Sequence, residues 1–106
     1  MEKEKPPYHR KLVTIITEAA LERDLTRALD GFGIPGYTIT DARGRGHQGD
    51  RISTWGENAN IRVEVVCSEA RARRLTKQLR ERYYHNYAMI MFLSDVEVLR
   101  PEKFGD

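Results

Sequence analysis

The sequence predicts a two-layer α+β domain in which four strands and two helices follow one another in the order βαββαβ. Short apolar or alternating runs at residues 12–17, 37–42, 61–67 and 88–93 are typical of strands. The segments that follow the first and third of these runs carry apolar residues at spacings of three and four, the period of an amphipathic helix. The length of 106 residues suits one compact domain of this kind.

The first half of the chain supplies one βαβ unit. Residues 12–17, LVTIIT, are short, apolar and β-branched, which predicts a buried strand. The predicted helix after it places five apolar residues on one face: Leu21, Leu25, Ala28, Leu29 and Phe32. Gly31 and Gly33 then provide the signal that ends this helix, and residues 37–42, YTITDA, alternate as a strand does.

The second half repeats this order. Residues 61–67, IRVEVVC, alternate, and Ser68 is a favourable N-cap for a helix with Glu69 in its first turn. Four residues form the predicted apolar stripe of this helix: Ala72, Leu75, Leu79 and Tyr83. Residues 88–93, AMIMFL, are apolar on both faces, and residues 96–99 are predicted to add a short edge strand. This order is that of a ferredoxin-like sandwich with both helices on one sheet face.

A strand that is apolar on both faces predicts that both faces of the sheet are covered. The helices cover only one face, so a second copy of the chain is the natural cover for the other. A small domain also has a thin margin of stability, which oligomerisation would increase. The sequence therefore predicts a homo-oligomer.

Composition narrows the class of protein. The chain is 40% hydrophobic and 32% charged, and no apolar run approaches the roughly 18 residues of a membrane span. The N-terminal MEKEKPPYHRK does not have the pattern of a secretory signal, so we expect a cytoplasmic protein without membrane insertion. The net charge of +2 gives no general case for nucleic acid, although residues 68–87 hold six basic residues against two acidic ones. A solvated helix face is the expected explanation of that excess.

No catalytic constellation is visible, so we do not expect an enzyme. Thr14, Ser53, Thr54 and Ser68 have no evident base partner. The three histidines and Cys67 do not show metal-ligand spacing, and Cys67 falls on the apolar side of its strand, where a buried thiol is expected.

The long polar segment at residues 43–60 is the best candidate for function, because structureless loops of this length are unusual in so small a domain. Gly44 and Gly46 permit positive φ and a close approach of the backbone to an anion. Arg43, Arg45 and Arg51 add guanidinium donors suited to phosphate. Neither a Rossmann fingerprint nor a P-loop is supported, since these glycines do not open a helix. A flexible polar connection between strands is the alternative.

Residues 33–40 read GIPGYTIT and residues 44–48 read GRGHQ. These two stretches resemble the strand and the G-x-G-x-Q segment that open the long T-loop in the PII family of signalling proteins. NIRVEVVC at residues 60–67 and DVEVLR at residues 95–100 are similar to its third and last strands. The resemblance covers residues 11–100.

The resemblance implies a ferredoxin-like homotrimer with an adenine nucleotide in each cleft between subunits. It places Thr38 at the wall of the nucleotide site, and Val65 and Val66 near the adenine. It implies that Gly44, Gly46, His47 and Gln48 line the phosphates and that Arg100 reaches them from the last strand. Arg45 and Arg51, whose guanidinium groups suit phosphate, complete the predicted nucleotide-binding set. The implied PII-like domain spans residues 11–100, with the T-loop at about 43–60 and tails at 1–10 and 101–106.

One departure from the family narrows the function. PII proteins carry a second glycine-lysine-rich nucleotide segment after the second helix, where this chain reads RYYHNY at residues 82–87. The chain is more similar to divergent PII-like proteins linked to bicarbonate transport and carboxysomes. Similarity to that branch implies a sensor of AMP or ADP, and ATP and cyclic AMP are further candidate ligands. It also implies a bicarbonate transporter or carboxysome-related protein as partner. Bicarbonate itself could be held by Arg43, Arg45 or Arg51.

The C-terminal residues help to distinguish the transporter-linked branch of PII-like proteins from the carboxysome-associated branch. Transporter-linked members often end in a cysteine-bearing loop, whereas KFGD at residues 103–106 contains no cysteine. The resemblance therefore favours the carboxysome-associated branch.

Two alternatives on the same fold remain open from the sequence. A module that binds single-stranded RNA would need exposed aromatic residues on its central strands. A trimer that binds divalent metal would need clustered ligands, against which the spacing of the histidines and Cys67 argues.

Overall fold

The computed structural model describes residues 8–46, 49–51 and 59–104. Six strands and two α-helices occur in these ranges: β1 His9–Glu18, α1 Glu22–Gly31, β2 Thr38–Ala42, β3 Gly44–Gly46, β4 Gly49–Arg51, β5 Asn60–Cys67, α2 Glu69–Tyr83 and β6 Ile90–Glu97. Short 3₁₀ helices at Ala19–Leu21 and Pro101–Lys103 precede α1 and follow β6. The predicted α+β class and the order βαββαβ are confirmed, with the small β3–β4 ribbon added between the halves.

The main sheet has four antiparallel strands in the order β2-β5-β1-β6. Its register aligns one row of residues across all four strands: Thr38, Glu64, Thr14 and Phe92. The strands β5 and β1 are central, and β2 and β6 form the two edges.

The core lies between one face of this sheet and the two helices. Alternate residues of the central strands point into it, and each of the following is buried: Val13, Ile15, Ile61, Val63, Val65 and Cys67. From α1, Leu25 and Leu29 are fully buried. The predicted stripe of α2 is confirmed, since all four of its residues are buried. Removal of this apolar surface from water is the main force that holds the helices on the sheet.

Local capping explains where the helices begin and end. Ser68 Oγ accepts a hydrogen bond from the backbone N–H of Arg71 at 3.2 Å, which confirms the predicted N-cap of α2. After α1, Gly33 has φ of 72°, and its N–H donates to the carbonyl of Asp30 at 3.0 Å. A glycine takes this left-handed conformation at no steric cost, so Gly33 ends α1 sharply.

The other face of the sheet, here called the open face, carries no helix in the described part of the chain. Its residues alternate with those of the core: Leu12, Thr14, Ile16, Thr38, Thr40, Arg62, Glu64, Val66, Ile90 and Phe92. Ile90 is 50% exposed and Phe92 is 47% exposed, so large apolar side chains reach the surface here. This is the face for which the sequence predicts a second copy of the chain.

Three expectations about the elements need correction. The last strand runs over Ile90–Glu97, and a separate strand at residues 96–99 is wrong because Val96 and Glu97 continue β6 in register with β1. The segment 43–60 is not structureless throughout, because it contains the paired strands β3 and β4 and the first residue of β5. The strand β1 starts at His9, inside the segment expected to be a tail.

Within the described ranges, neither helix is long and apolar enough to cross a bilayer.

Candidate functional site

The glycine-rich segment forms a two-stranded ribbon directly after β2. The strands β3 and β4 are antiparallel, with Gly44 opposite Arg51, Arg45 opposite Asp50 and Gly46 opposite Gly49. The exposed Arg43 joins this ribbon to β2. His47 and Gln48, which the sequence places among the phosphate contacts, lie outside the described residues.

Gly44 does not use the positive φ that a glycine permits. Gly44 lies in β3, where its pairing with Arg51 holds the backbone extended. Among the described residues, the glycine with positive φ is Gly33. A Cβ built on Gly44 would meet no atom within 4 Å. Gly44 therefore leaves its backbone open to a ligand, by the absence of a side chain rather than by a special turn.

A second group of predicted site residues lies where β2 begins. Thr38 is exposed and pairs with Glu64, and the pairing of β2 with β5 stops there. Val65 and Val66 continue past this point with β1 alone as their registered neighbour. Because successive residues of a strand direct their N–H and C=O groups to opposite sides, one of these two valines offers backbone donors and acceptors beside Thr38.

The two valines are not equivalent. The side chain of Val65 has no solvent exposure and belongs to the core, so only the backbone of Val65 can reach a ligand. Val66 is half-buried on the open face, opposite Leu12. Glu64 lies on the same face, and its Oε2 is 3.4 Å from Nη2 of Arg62.

Arg100 is exposed, but it does not lie in the last strand as the sequence suggested. The strand β6 ends at Glu97, and Arg100 immediately precedes the 3₁₀ helix Pro101–Lys103. This segment is held against the start of β1, since Arg10 Nη2 donates to the carbonyl of Pro101 at 3.4 Å and the N–H of Val98 donates to the carbonyl of Tyr8 at 2.8 Å.

The structure also shows a contact near Thr38 that no sequence pattern indicates. Arg71 Nη1 donates to the carbonyl of Gly33 at 3.0 Å, which joins α2 to the turn that leads into β2. Nearby, burial raises the pKa of the Cys67 thiol, and the charge of Arg71 opposes this shift. Since burial is the larger cause, Cys67 stays a neutral thiol near pH 7.

The ribbon and Arg100 lie at opposite ends of the sheet. The ribbon follows Ala42, which is aligned through Asn60 with Glu18 at the end of β1. Arg100 follows Glu97, which is aligned with His9 at the start of β1, so about 30 Å of strand separates the two. Thr38 lies between these ends, in the row of Glu64, Thr14 and Phe92. The single chain therefore does not bring the ribbon together with Arg100.

Two observations bear on the alternatives that the sequence left open. No group of His, Cys, Asp and Glu residues suited to a metal ion occurs among the residues described. The central strands β1 and β5 read HRKLVTIITE and NIRVEVVC, without the aromatic residue that RNA stacking would need.

Comparison with known proteins identifies the family. The family model described as "Nitrogen regulatory protein P-II" matches residues 10–103. A PII-like signalling protein from Thermus thermophilus is 43% identical, with a TM-score of 0.79 over 92% of this chain and 96% of that chain. CPII, a nitrogen regulatory PII-like protein from Thiomonas intermedia K12, was solved with ADP, AMP and bicarbonate. It is 29% identical, with a TM-score of 0.82 over 92% of this chain and 94% of that one.

A further structure of CPII, bound to ADP and bicarbonate, is 28% identical and has a TM-score of 0.82, covering 92% of this chain and 96% of that chain. The family match spans residues 10–103, which include the ribbon, both helices and nearly all of the main sheet, and each of these structures covers 92% of this chain. This chain therefore belongs to the P-II family and is a PII-like regulatory protein.

Proposed function

We propose that this chain senses adenine nucleotides, with AMP or ADP as the preferred ligands, in clefts between the subunits of a homotrimer. The observation that carries this proposal is the separation of the site residues. Arg100 follows the end of β6 beside His9, and the ribbon follows the end of β2 in the row of Glu18, about 30 Å away along the strands. At this distance a nucleotide can contact both the ribbon and Arg100 only when two copies of the chain meet.

The open face supports the association of copies. Ile90 and Phe92 are about half exposed, and they stand beside the half-buried Ile16 and the buried Thr14. Exposed apolar surface of this kind commonly marks an interface between proteins. We propose that burial of the open face in a trimer sets the ribbon of one subunit near Thr38 and Arg100 of its neighbour.

Each group then has a chemical role. The free backbone edge at residues 65–66 offers donors and acceptors that suit the edge of adenine, and Thr38 adds a hydroxyl. The backbone of Gly44 and Gly46 and the guanidinium groups of Arg45 and Arg51 suit phosphate oxygens. Arg100 would reach the same phosphates from the neighbouring subunit. We also propose that His47 and Gln48 contact the phosphates.

Bicarbonate is the second ligand of the proposal. CPII was solved with ADP and bicarbonate, and with ADP, AMP and bicarbonate. A small planar anion is matched by the bidentate geometry of a guanidinium group, and Arg43, Arg45 and Arg51 lie on or beside the ribbon. We propose that one of these three arginines holds bicarbonate next to the nucleotide.

Signalling would follow from differences in affinity. A bound nucleotide draws the ribbon onto its phosphates and changes how the rest of the loop at residues 43–60 is presented to a partner. Only ligands that bind the two loop arrangements with different affinity can produce this effect. The proposed setting is the cytoplasm and inorganic-carbon metabolism, with a bicarbonate transporter or carboxysome-related protein as partner and no catalysis.

Isothermal titration calorimetry with AMP, ADP, ATP and cyclic AMP, with and without bicarbonate, tests the ligand. Undetectable binding of all four nucleotides would contradict the proposal.

Mixing of subunits tests the shared site. Arg51→Ala and Arg100→Ala should each bind AMP or ADP weakly. Trimers refolded from an equal mixture should regain about a quarter of the wild-type sites, because each cleft needs one intact residue from each neighbour. Mixtures that bind no better than the separate variants would show that the site is not shared between subunits.

A further inference from the structure

A basic groove runs between α2 and the edge strand β6. Its volume is about 390 Å³, and eight residues line it: Arg73, Thr76, Lys77, Arg80, Tyr84, Met91, Phe92 and Leu93. Three of them are cations on a single stripe of α2, and none is acidic. The groove therefore has a strong excess of positive charge.

Within the described residues, two of these cations have no acidic partner. Arg73 Nε lies 3.1 Å from Glu69 Oε2, one turn earlier on the helix. Lys77 and Arg80 form no ion pair or side-chain hydrogen bond within residues 8–46, 49–51 and 59–104. Both are exposed, so their charge is available to a ligand from outside the chain.

The strand β6 forms the opposite wall of the groove and has a free edge. In the described chain it pairs with β1 on one side only, over the full register from Ile90 to Glu97. Half of its backbone N–H and C=O groups therefore point outward without a strand partner. Such an edge can accept an added strand, whose main chain supplies affinity and whose side chains supply specificity.

The spacing of the cations is comparable to the spacing along an added strand. Arg73 and Lys77 are about 6 Å apart along the helix axis, Lys77 and Arg80 are about 4.5 Å apart, and their long side chains can span the difference. Side chains on one face of a strand recur at intervals of about 6.8 Å. Carboxylates at alternate positions of a strand paired with β6 would thus face successive cations of α2.

We propose that this groove binds an acidic, extended segment of a partner protein, which adds to the free edge of β6 and places carboxylates at alternate positions against Arg73, Lys77 and Arg80. Charge complementarity selects this occupant, since the groove presents cations without acidic residues. The surface is distinct from the proposed nucleotide site at the ribbon and at Thr38. It would give the regulator a second contact with a partner.

Fluorescence anisotropy with a labelled peptide of alternating glutamate and threonine, four of each, tests the proposal. The full-length protein should bind this peptide at least ten-fold more tightly than a peptide of equal composition with the four glutamates in one block. Methylation of the backbone nitrogens on one edge of the alternating peptide should remove the binding. No preference for the alternating peptide would overturn the proposal.

Variants locate the contact. The double variant Lys77→Glu/Arg80→Glu should weaken binding at least ten-fold, whereas Arg23→Glu/Arg74→Glu, with the same change of net charge on exposed helix positions outside the groove, should weaken it less than two-fold. Equal weakening by both would indicate general electrostatic attraction and overturn the proposal. Sedimentation should show the wild-type oligomer for both variants. Dissociation of Lys77→Glu/Arg80→Glu alone would assign the groove to contact between subunits and also overturn it.

Discussion

Arg71 and Gly33 are joined by a hydrogen bond of 3.0 Å from the guanidinium Nη1 of Arg71 to the carbonyl oxygen of Gly33. This bond connects the first turn of α2 to the turn after α1. The same turn is fixed from the other side by Ile34, which is buried and donates its N–H to the carbonyl of Leu29 at 3.1 Å. The chain that enters β2 at Thr38 is thus held at both ends of the turn.

Replacement of Arg71 should loosen this turn. We expect Arg71→Ala to lower the free energy of unfolding by about 1 kcal/mol, because it removes one partly exposed hydrogen bond from a charged donor. Urea denaturation at fixed protein concentration measures this. Arg74→Ala, an exposed neighbour on the same helix, is the control and should change stability by less than about 0.5 kcal/mol. Equal effects of the two variants would show that the contact with Gly33 does not stabilise the fold.

The left-handed backbone of Gly33 should make this position sensitive to a side chain. Gly33→Ala is expected to cost about 1 kcal/mol, because an alanine Cβ is disfavoured at φ of 72°. Gly36→Ala is a matched control, since a Cβ there meets no atom within 4 Å and the backbone is not left-handed. Thermal unfolding of both variants measures the difference, and a Gly33→Ala protein as stable as Gly36→Ala would contradict it.

A charge on the open face should separate the subunits. Phe92→Glu places a carboxylate on a surface that we expect to be buried in the trimer, where desolvation of the charge is costly. Because Phe92 is 47% exposed in the single chain, the fold itself should persist. Analytical ultracentrifugation should show smaller species and circular dichroism should show wild-type secondary structure. Glu97→Gln, at the far end of β6, should leave the oligomer intact. A Phe92→Glu protein of unchanged size would exclude this face from the interface.

The N-cap of α2 should contribute measurably to stability. Ser68→Ala removes the oxygen that accepts from the N–H of Arg71, at an expected cost of about 1 kcal/mol. Ser68→Asn should restore most of this, because asparagine caps helices about as well as serine. Chemical denaturation of the wild type and the two variants shows whether the stability depends on a capping oxygen at this position or on the serine itself. Equal losses in both variants would contradict the capping role.

The pKa of Cys67 predicts the pH dependence of folding on the alkaline side. Burial raises this pKa, so the unfolded chain ionises at lower pH than the folded one. The stabilisation is complete below the ordinary thiol pKa of about 8.5 and is lost as pH rises through the folded value. Burial also raises the pKa of Tyr83, which adds a second loss at higher pH. Urea denaturation between pH 7 and 10 should show a free energy of unfolding that falls as pH rises. In Cys67→Ala, the fall that begins near the ordinary thiol pKa should be smaller. An unchanged slope in that variant would contradict the assignment to Cys67.

Local patterns predicted the elements of this protein because they depend on residues close in sequence. The apolar stripe of α2 has the period of a helix, and the alternation of residues 61–67 has the period of a strand. The cap at Ser68 depends on a contact only three residues away. The extent of β6 was harder to predict, because Ser94 and Asp95 interrupt its apolar pattern and remain in the strand through pairing with Leu12 and Lys11.

For the candidate site, the sequence determined the residue types, namely the glycines and arginines of residues 43–51, Thr38 and Arg100. The tertiary structure decided where they lie. It paired β3 with β4, placed the side chain of Val65 in the core and put Arg100 at the opposite end of the sheet from the ribbon. These outcomes depend on strand register and on contacts between distant residues, such as Arg71 with Gly33, which no local period encodes.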